Sequence, residues 1–140
     1  MSYTKIWIHA VFGTKRRYPY LSGSIKKKVI NHIFKNADEK GITMSKINGM
    51  SDHLHCLIRL HPKQCVADVL QLIKGESGHW LNENRTCKSK FGWSVKYYAV
   101  SISEKDVEIV KKYIRDQEYH HSNKTLQQEV EELFGVPYED

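Results

Sequence analysis

Two histidines one residue apart, His53 and His55, open the otherwise apolar run "HLHCLIRL". Side chains two apart on a strand point to the same face, ~7 Å apart at the backbone. Leu54, Cys56, Ile58 and Leu60 then share the opposite face. Alone, the histidine pair fits two polar residues at the wet end of a strand equally well as a pair of ligands converging on one cation or phosphate. An ion held by two imidazoles needs further ligands. Asp52 is adjacent, but its parity points it to the opposite face, which makes it a poor third ligand. Late in the chain, "YIRDQEYHH" sets Tyr113 and Gln117 four apart, so they stack on one helix face beside the apolar Val110 and Ile114. A tyrosine there either packs or acts as a nucleophile, and spacing alone leaves both open. His120 and His121 follow; they read as side chains favoured at a helix C-terminus. No dedicated base for the tyrosine is visible.

The elements around these residues follow from periodicity. Residues 3–13, "YTKIWIHAVFG", alternate and predict a strand with Ile6, Ile8, Ala10 and Phe12 on one face. Residues 24–40 carry Ile25, Val29, Ile30, Ile33, Phe34 and Ala37 at helical spacing, with Ser24 as N-cap and Gly41 as stop. "ITMSKING" predicts a second strand that turns near Asn48-Gly49 into "HLHCLIRL", which Pro62 ends. A second helix starts near Val66, with Gly75 and Gly78 as points where it breaks or bends. "GWSVKYYAVSI" favours a strand. A last helix begins at "SEKD", where Ser103 and Asp106 resemble a capping box. The tail is polar from Ser122 and then partly helical through "LQQEVEELF".

The order β-α-β-β-α-β-α predicts an α+β fold: a ferredoxin-like β-α-β-β-α-β antiparallel sheet with helices on one face. A C-terminal helix follows and carries Tyr113. The first and third strands are expected side by side in the centre, with the leucine face dry and the two histidines on the open face. One domain over residues 1–140 is expected, its C-terminal helix and tail starting at about residue 103. No linker, repeat or low-complexity stretch divides it.

Composition narrows the function classes. No run is apolar enough to span a bilayer, and no signal-peptide pattern opens the chain. A cytoplasmic protein without a membrane partner is expected. The three cysteines, Cys56, Cys65 and Cys87, are odd in number and form no CxxC pair, against a disulfide framework or a cysteine zinc site. The net charge is +6, an excess that favours polyanions. Part of it is local. "TKRRYPY" places Lys15, Arg16 and Arg17 beside Tyr18 and Tyr20, which suits a phosphate backbone with unstacked bases. "IKKK" reads as the solvated face of a helix.

Taken together, these blocks resemble the HUH endonuclease superfamily. More closely, the chain looks like the small single-tyrosine transposases of bacterial insertion sequences and their REP-associated tyrosine transposase relatives. "HAVFGTKRRYP" is similar to that family's first strand and basic turn, "DHLHCLI" to its metal strand and "LIKGESGHWL" to its second helix. "WSVKYYAVSIS" is similar to its last strand, and "YIRDQEYHH" to its nucleophile helix. The five blocks occur in order. One departure is Gly78, where many relatives carry a small hydroxyl residue.

The resemblance implies His53, His55 and Gln117 as metal ligands and Tyr113 as nucleophile. It implies Lys15, Arg16, Arg17 and Lys74 as DNA-binding residues and Mg2+ or Mn2+ as cofactor. The implied activity is cleavage and rejoining of single-stranded DNA through a 5′-phosphotyrosine, on hairpin-bearing element ends. A homodimer with composite active sites is the implied assembly. Two imidazoles and a carboxamide add no negative charge, so a divalent ion among them would keep its full charge for the scissile phosphate. Imidazole ligands suit manganese at least as well as magnesium. The competing expectations are a replication initiator or relaxase, usually a longer chain; a non-catalytic nucleic-acid-binding module, which needs no histidine pair; and a water-using metal hydrolase, which forms no protein adduct.

Overall fold

Strand β1 (Ile6–Gly13) runs antiparallel to β3 (His53–Leu60) on one side and to β4 (Tyr98–Ile102) on the other. β2 (Thr43–Met50) pairs with the far edge of β3, giving the order β2-β3-β1-β4 in a computed structural model that describes residues 2–120 and 124–139. The expected α+β arrangement is therefore present, with β1 and β3 central. Helices α1 (Ile25–Glu39) and α2 (Val66–Glu83) cover one face. Their stripes, including Val29, Ile33, Leu70 and Ile73, pack with Ile8, Ala10, Phe12, Leu54, Cys56 and Ile58. This is the dry leucine face that the alternation of β3 predicts.

The other face is not open, and here the expectation is corrected. Helix α3 (Val107–Arg115) lays Val107 and Ile114 on Leu57 of β3, with Trp7 and Ile102 alongside. Helix α5 (Leu126–Phe134) lays Leu126 and Val130 on Val11 of β1. His53 and His55 are both 0% exposed. The alternation of a strand fixes which residues share a face, but not what later chain covers it.

Several local details also differ. α2 runs unbroken through Gly75 and Gly78. An added Cβ at Gly75 would meet nothing within 4 Å, and one at Gly78 would touch Trp93 at 3.6 Å, so neither glycine answers to crowding. The strand in "GWSVKYYAVSI" is confined to Tyr98–Ile102; before it, Trp93 makes one isolated bridge to Thr14. Ser24 precedes α1 but its side chain caps no backbone N–H. Ser103 Oγ donates to Asp106 Oδ2 (2.9 Å) across a 3-10 turn instead of capping a helix. A capping box does form in the tail, where Thr125 and Gln128 satisfy each other's backbone N–H at the start of α5.

The helix predicted to carry both Tyr113 and Gln117 is broken. α3 ends at Arg115, Asp116 intervenes, and Gln117 begins the short α4 (Gln117–His120). The junction is tied to the sheet. Asn48 Nδ2 donates to Arg115 O (2.9 Å) and Glu118 Oε2 (3.2 Å). Lys26 Nζ donates to Gly49 O (2.9 Å) and pairs with Glu118, so one lysine of "IKKK" is a fastening rather than part of a solvated face. Gly49 itself is obligatory: an added Cβ would stand 2.1 Å from the backbone oxygen of His53. β2 can therefore approach the histidine strand this closely only with glycine there.

Candidate active site

The buried histidines meet residues from three helical segments. His53 Nε2 lies 3.3 Å from Gln117 Oε1 at the start of α4. Both His53 Nε2 and His55 Nε2 lie 3.4 Å from Glu129 Oε1 on α5. Gln117 Nε2 donates to Glu129 Oε2 at 3.1 Å, and the Tyr113 hydroxyl donates to that same oxygen. Gln117 is 0% and Glu129 1% exposed. The structure thus brings together all four of the residues predicted for the catalytic and metal roles: His53, His55, Tyr113 and Gln117.

Three further side chains, none of them among the predicted site residues, complete the cluster. Glu129 is the first, and it changes the charge of the site. The predicted donor set is neutral, whereas the cluster in the structure also contains a carboxylate. Burial alone would raise the Glu129 carboxyl, but hydrogen bonds and charge from His53 and His55 outweigh it and hold it at about 2. Its signal in the sequence is positional. In "LQQEVEELF", Glu129 stands three residues after Leu126 and next to Val130, on the stripe that α5 buries.

Asp52 is the second. Its Oδ1 accepts from His53 Nδ1 at 2.7 Å. Although strand parity points Asp52 to the opposite face, its carboxylate reaches back and holds the ring from behind. Burial works to lower the His53 imidazole, yet its bonds to Asp52 and Glu129 prevail and raise it above its ordinary value. His9 is the third. Its Nε2 lies 2.9 Å from His55 Nδ1, with ring centroids 5.2 Å apart. Burial, then the neighbouring His55, push the His9 imidazole down to about 3, against a smaller opposing effect of Glu129.

The inward nitrogens and the carboxylate suit a divalent ion. One ligand atom from each of His53, His55 and Glu129 can be chosen so that all lie within 4.8 Å of one another, and all three residues are buried. The outward nitrogens of both imidazoles are engaged, by Asp52 and His9, which leaves the two Nε2 atoms facing each other's space. A mixed nitrogen and oxygen set of this kind accepts manganese, zinc or iron, and magnesium less readily.

The predicted basic residues lie at the same end of the sheet, except one. Lys15, Arg16 and Arg17 form an exposed 3-10 turn in which Arg16 (φ 56°) and Arg17 (φ 55°) are both left-handed. Thr14 N donates to Asp52 O (2.8 Å) and Lys15 N to Gly92 O (2.9 Å), which anchors the turn beside the histidine strand. A groove of about 490 Å³ runs between Arg16, Arg17, Asp52, Lys124 and Leu126. Another of about 400 Å³ is lined by Lys15, Arg16, Tyr18, Tyr20, Lys90 and Phe91, with the two tyrosine rings 4.7 Å apart. Lys74 lies away from both. Its ammonium donates to the carbonyls of Ser94 (2.7 Å), Val95 (3.1 Å) and Lys96 (3.4 Å), so it fastens the loop before β4. His120 ends α4, and His121 lies outside the described residues. Among the described residues, no helix is long and apolar enough to cross a membrane.

Comparison with known proteins agrees with this arrangement. The chain is 24% identical over 114 residues to the ISDra2 transposase TnpA of Deinococcus radiodurans, covering 78% of this chain and 81% of that protein. A crystal structure assigned as a candidate transposase of D. radiodurans R1 superposes with a TM-score of 0.67 at 21% identity, covering 83% of this chain and 93% of the other. A REP-associated tyrosine transposase bound to a REP hairpin superposes with a TM-score of 0.61 at 20% identity, covering 86% and 72%. These two likenesses establish a shared fold. The sequence profile of the family described as "Transposase IS200 like" matches residues 2–117, from before β1 to Gln117 beside the buried histidines. A match of that extent makes the chain a member of the IS200-like transposase family.

Proposed function

We propose that this transposase cuts and rejoins single-stranded DNA through a covalent bond to Tyr113, assisted by a divalent metal ion. The reading rests on one observation: Tyr113, Gln117, His53 and His55 all converge on the buried carboxylate of Glu129. His53, His55 and Gln117 would hold the ion, with Glu129 as a further oxygen ligand. When bound, the ion would polarise a phosphate oxygen and favour attack on phosphorus.

Tyr113 supplies the nucleophile. Its Oη forms a bond to the 5′ phosphorus as the bond from phosphorus to the 3′ oxygen breaks, and that oxygen leaves as a hydroxyl. The ester retains the energy of the broken bond, so a second 3′ hydroxyl can displace Tyr113 and rejoin the strand. The phenol proton has a waiting acceptor in Glu129. Against the effect of burial, bonds and charge from His53 and His55 hold the Glu129 carboxyl well below the usual carboxylate range in the metal-free fold, so it is a far weaker base than a phenolate. The proton therefore moves as the bond to phosphorus forms, not before.

The basic turn and its two flanking grooves would carry the DNA backbone and stacked bases toward Asp52 and the site behind it. A hairpin substrate fits this reading, since one structural relative is bound to a REP hairpin. Lys74 would contribute to DNA binding indirectly, through the loop it fastens.

The test is incubation with Mn2+ and labelled single-stranded DNA carrying the hairpins that flank the element, followed by a denaturing gel. A protein-linked product is expected for the wild type and absent for Tyr113→Phe. Cleavage that persists in Tyr113→Phe would point to a water-using hydrolase instead. Binding without cleavage in any metal would favour a binding module. A homodimer with exchanged tyrosine helices belongs to the same proposal, although within one chain α3 already packs on its own β3. Mixing His53→Ala chains with Tyr113→Phe chains should restore adduct formation if helices exchange. No recovery would mean that each chain completes its own site.

A further inference from the structure

We infer that His9 is a positioning residue of the metal site: a buried neutral imidazole that accepts from His55 Nδ1 and so turns the His55 Nε2 lone pair inward. The inference rests on the reading of His55 as a metal ligand.

The geometry carries it. β1 and β3 pair so that Val11 stands opposite His55 and His9 opposite Leu57. His9 is therefore two residues from the cross-strand partner of His55, on the same face, where diagonal neighbours reach each other. His9 Nε2 lies 2.9 Å from His55 Nδ1, and His9 is 2% exposed. Two imidazoles at that distance share one hydrogen, so one must donate and the other accept. A nitrogen that binds a metal has no hydrogen. A neutral His55 bound through Nε2 must carry its hydrogen on Nδ1 and donate it to His9, which then keeps its own hydrogen on Nδ1.

The two ligands are thus supported differently. His53 leans on a carboxylate, Asp52, at 2.7 Å. His55 leans on an uncharged ring. Without the metal, His55 Nε2 faces Glu129 Oε1 at 3.4 Å and can donate to it. Loading then reverses the hydrogen bond between His55 and His9. A carboxylate at position 9 could not take part in that reversal, because it can only accept; an imidazole can do both. A second carboxylate would also add negative charge beside Glu129. Phe134 and Tyr113 pack around His9, with ring centroids 5.9 Å and 6.3 Å away, and hold it in place.

The test uses the full chain and three measurements. In Zn2+-loaded wild type, long-range nitrogen–proton NMR should show His55 bound through Nε2 with its hydrogen on Nδ1; binding through Nδ1 would overturn the inference without any variant. Mn2+ affinity is then read by electron paramagnetic resonance. His9→Phe fills the space without an acceptor and should weaken binding ~10–100-fold, the usual effect of losing an outer partner. His9→Gln places an amide oxygen near the lost Nε2 and should recover most of that loss. If His9→Phe is folded by circular dichroism and binds Mn2+ within threefold of wild type, His9 positions nothing. The same holds if His9→Gln is as weak as His9→Phe. A wild type that binds neither Mn2+ nor Zn2+ would instead overturn the metal-site reading itself, and this inference with it.

Discussion

Glu129 concentrates three demands on one carboxylate. It accepts from Tyr113 and Gln117, and it faces both inward histidine nitrogens at 3.4 Å. Removing its charge while keeping its shape separates its roles from packing. Glu129→Gln should lower Mn2+ affinity by at least ~10-fold, because a charged oxygen ligand is replaced by a neutral one. Gln117→Ala should lower it less, since a neutral carboxamide is lost. Titration of free Mn2+ by electron paramagnetic resonance compares the two, and equal affinity for Glu129→Gln and wild type would remove Glu129 from the ligand set. His53 with His55, and Tyr113 with Gln117, stand out by residue type and spacing because each pair is local in sequence; the family likeness, not the spacing, implies their roles. Glu129, Asp52 and His9 could not be placed that way. Glu129 reaches the site only through the fold of α5, and His9 only through the register of β1 on β3. Asp52 acts through its oxygen bond to the neighbouring ring, which backbone parity does not predict.

Among the elements, α5 both shields and completes the cluster. The proposed ligands His53, His55, Gln117 and Glu129 are 0–1% exposed, and Glu129 stands on α5 itself. Its apolar hold is small: Leu126 and Val130 on Val11, with Tyr98, Phe134 and Tyr138 at the margin. An aspartate in place of Val130 would be buried without a cation, which costs several kcal/mol and exceeds what such a short contact can return. Val130→Asp should therefore release α5 while the α1–α2 face stays packed. The expected readout is at least a ~10-fold faster removal of Mn2+ by EDTA, with an unchanged near-ultraviolet signal from Trp80 and Trp93, which pack on that face. Unchanged removal would mean that α5 neither shields the ion nor helps to hold it. The strands, α1 and the dry face were legible because alternation and helical periodicity are properties of each segment alone. The covering of the histidine face was not, because it depends on where residues after the sheet return. The unbroken α2 was not legible either: Gly75 and Gly78 cost helix propensity, and packing of Leu70, Ile73 and Leu81 overrides it.

For the whole molecule, the same buried groups set how stability responds to pH before any metal binds. His9 sits at about 3 in the fold and near 6.5 when unfolded. It faces His55 from β3, Glu129 from α5 and Tyr113 from α3. Between those values the unfolded chain binds a proton that the native chain refuses, so stability falls as pH drops below 6.5. Glu129, at about 2 against 4.5, adds stability above 4.5 that is lost as pH falls toward 2, on the order of 3 kcal/mol. His53 acts in the opposite sense. Its raised value gives stability below 6.5 that is lost as pH rises through its folded value. The metal-free protein should thus be most stable near pH 6.5 in urea titrations with EDTA, with an acid limb due first to His9. Mn2+ should steepen its gain above that pH, because a ligating His53 cannot also carry a proton on the metal-facing nitrogen. The acid limb isolates the cause. In His9→Phe, with no imidazole to charge at position 9, stability should stay nearly level from pH 6.5 to about 4.5 and fall only as Glu129 is protonated. An acid limb in His9→Phe as steep as in the wild type would show that the His9 ring is not held neutral by the fold.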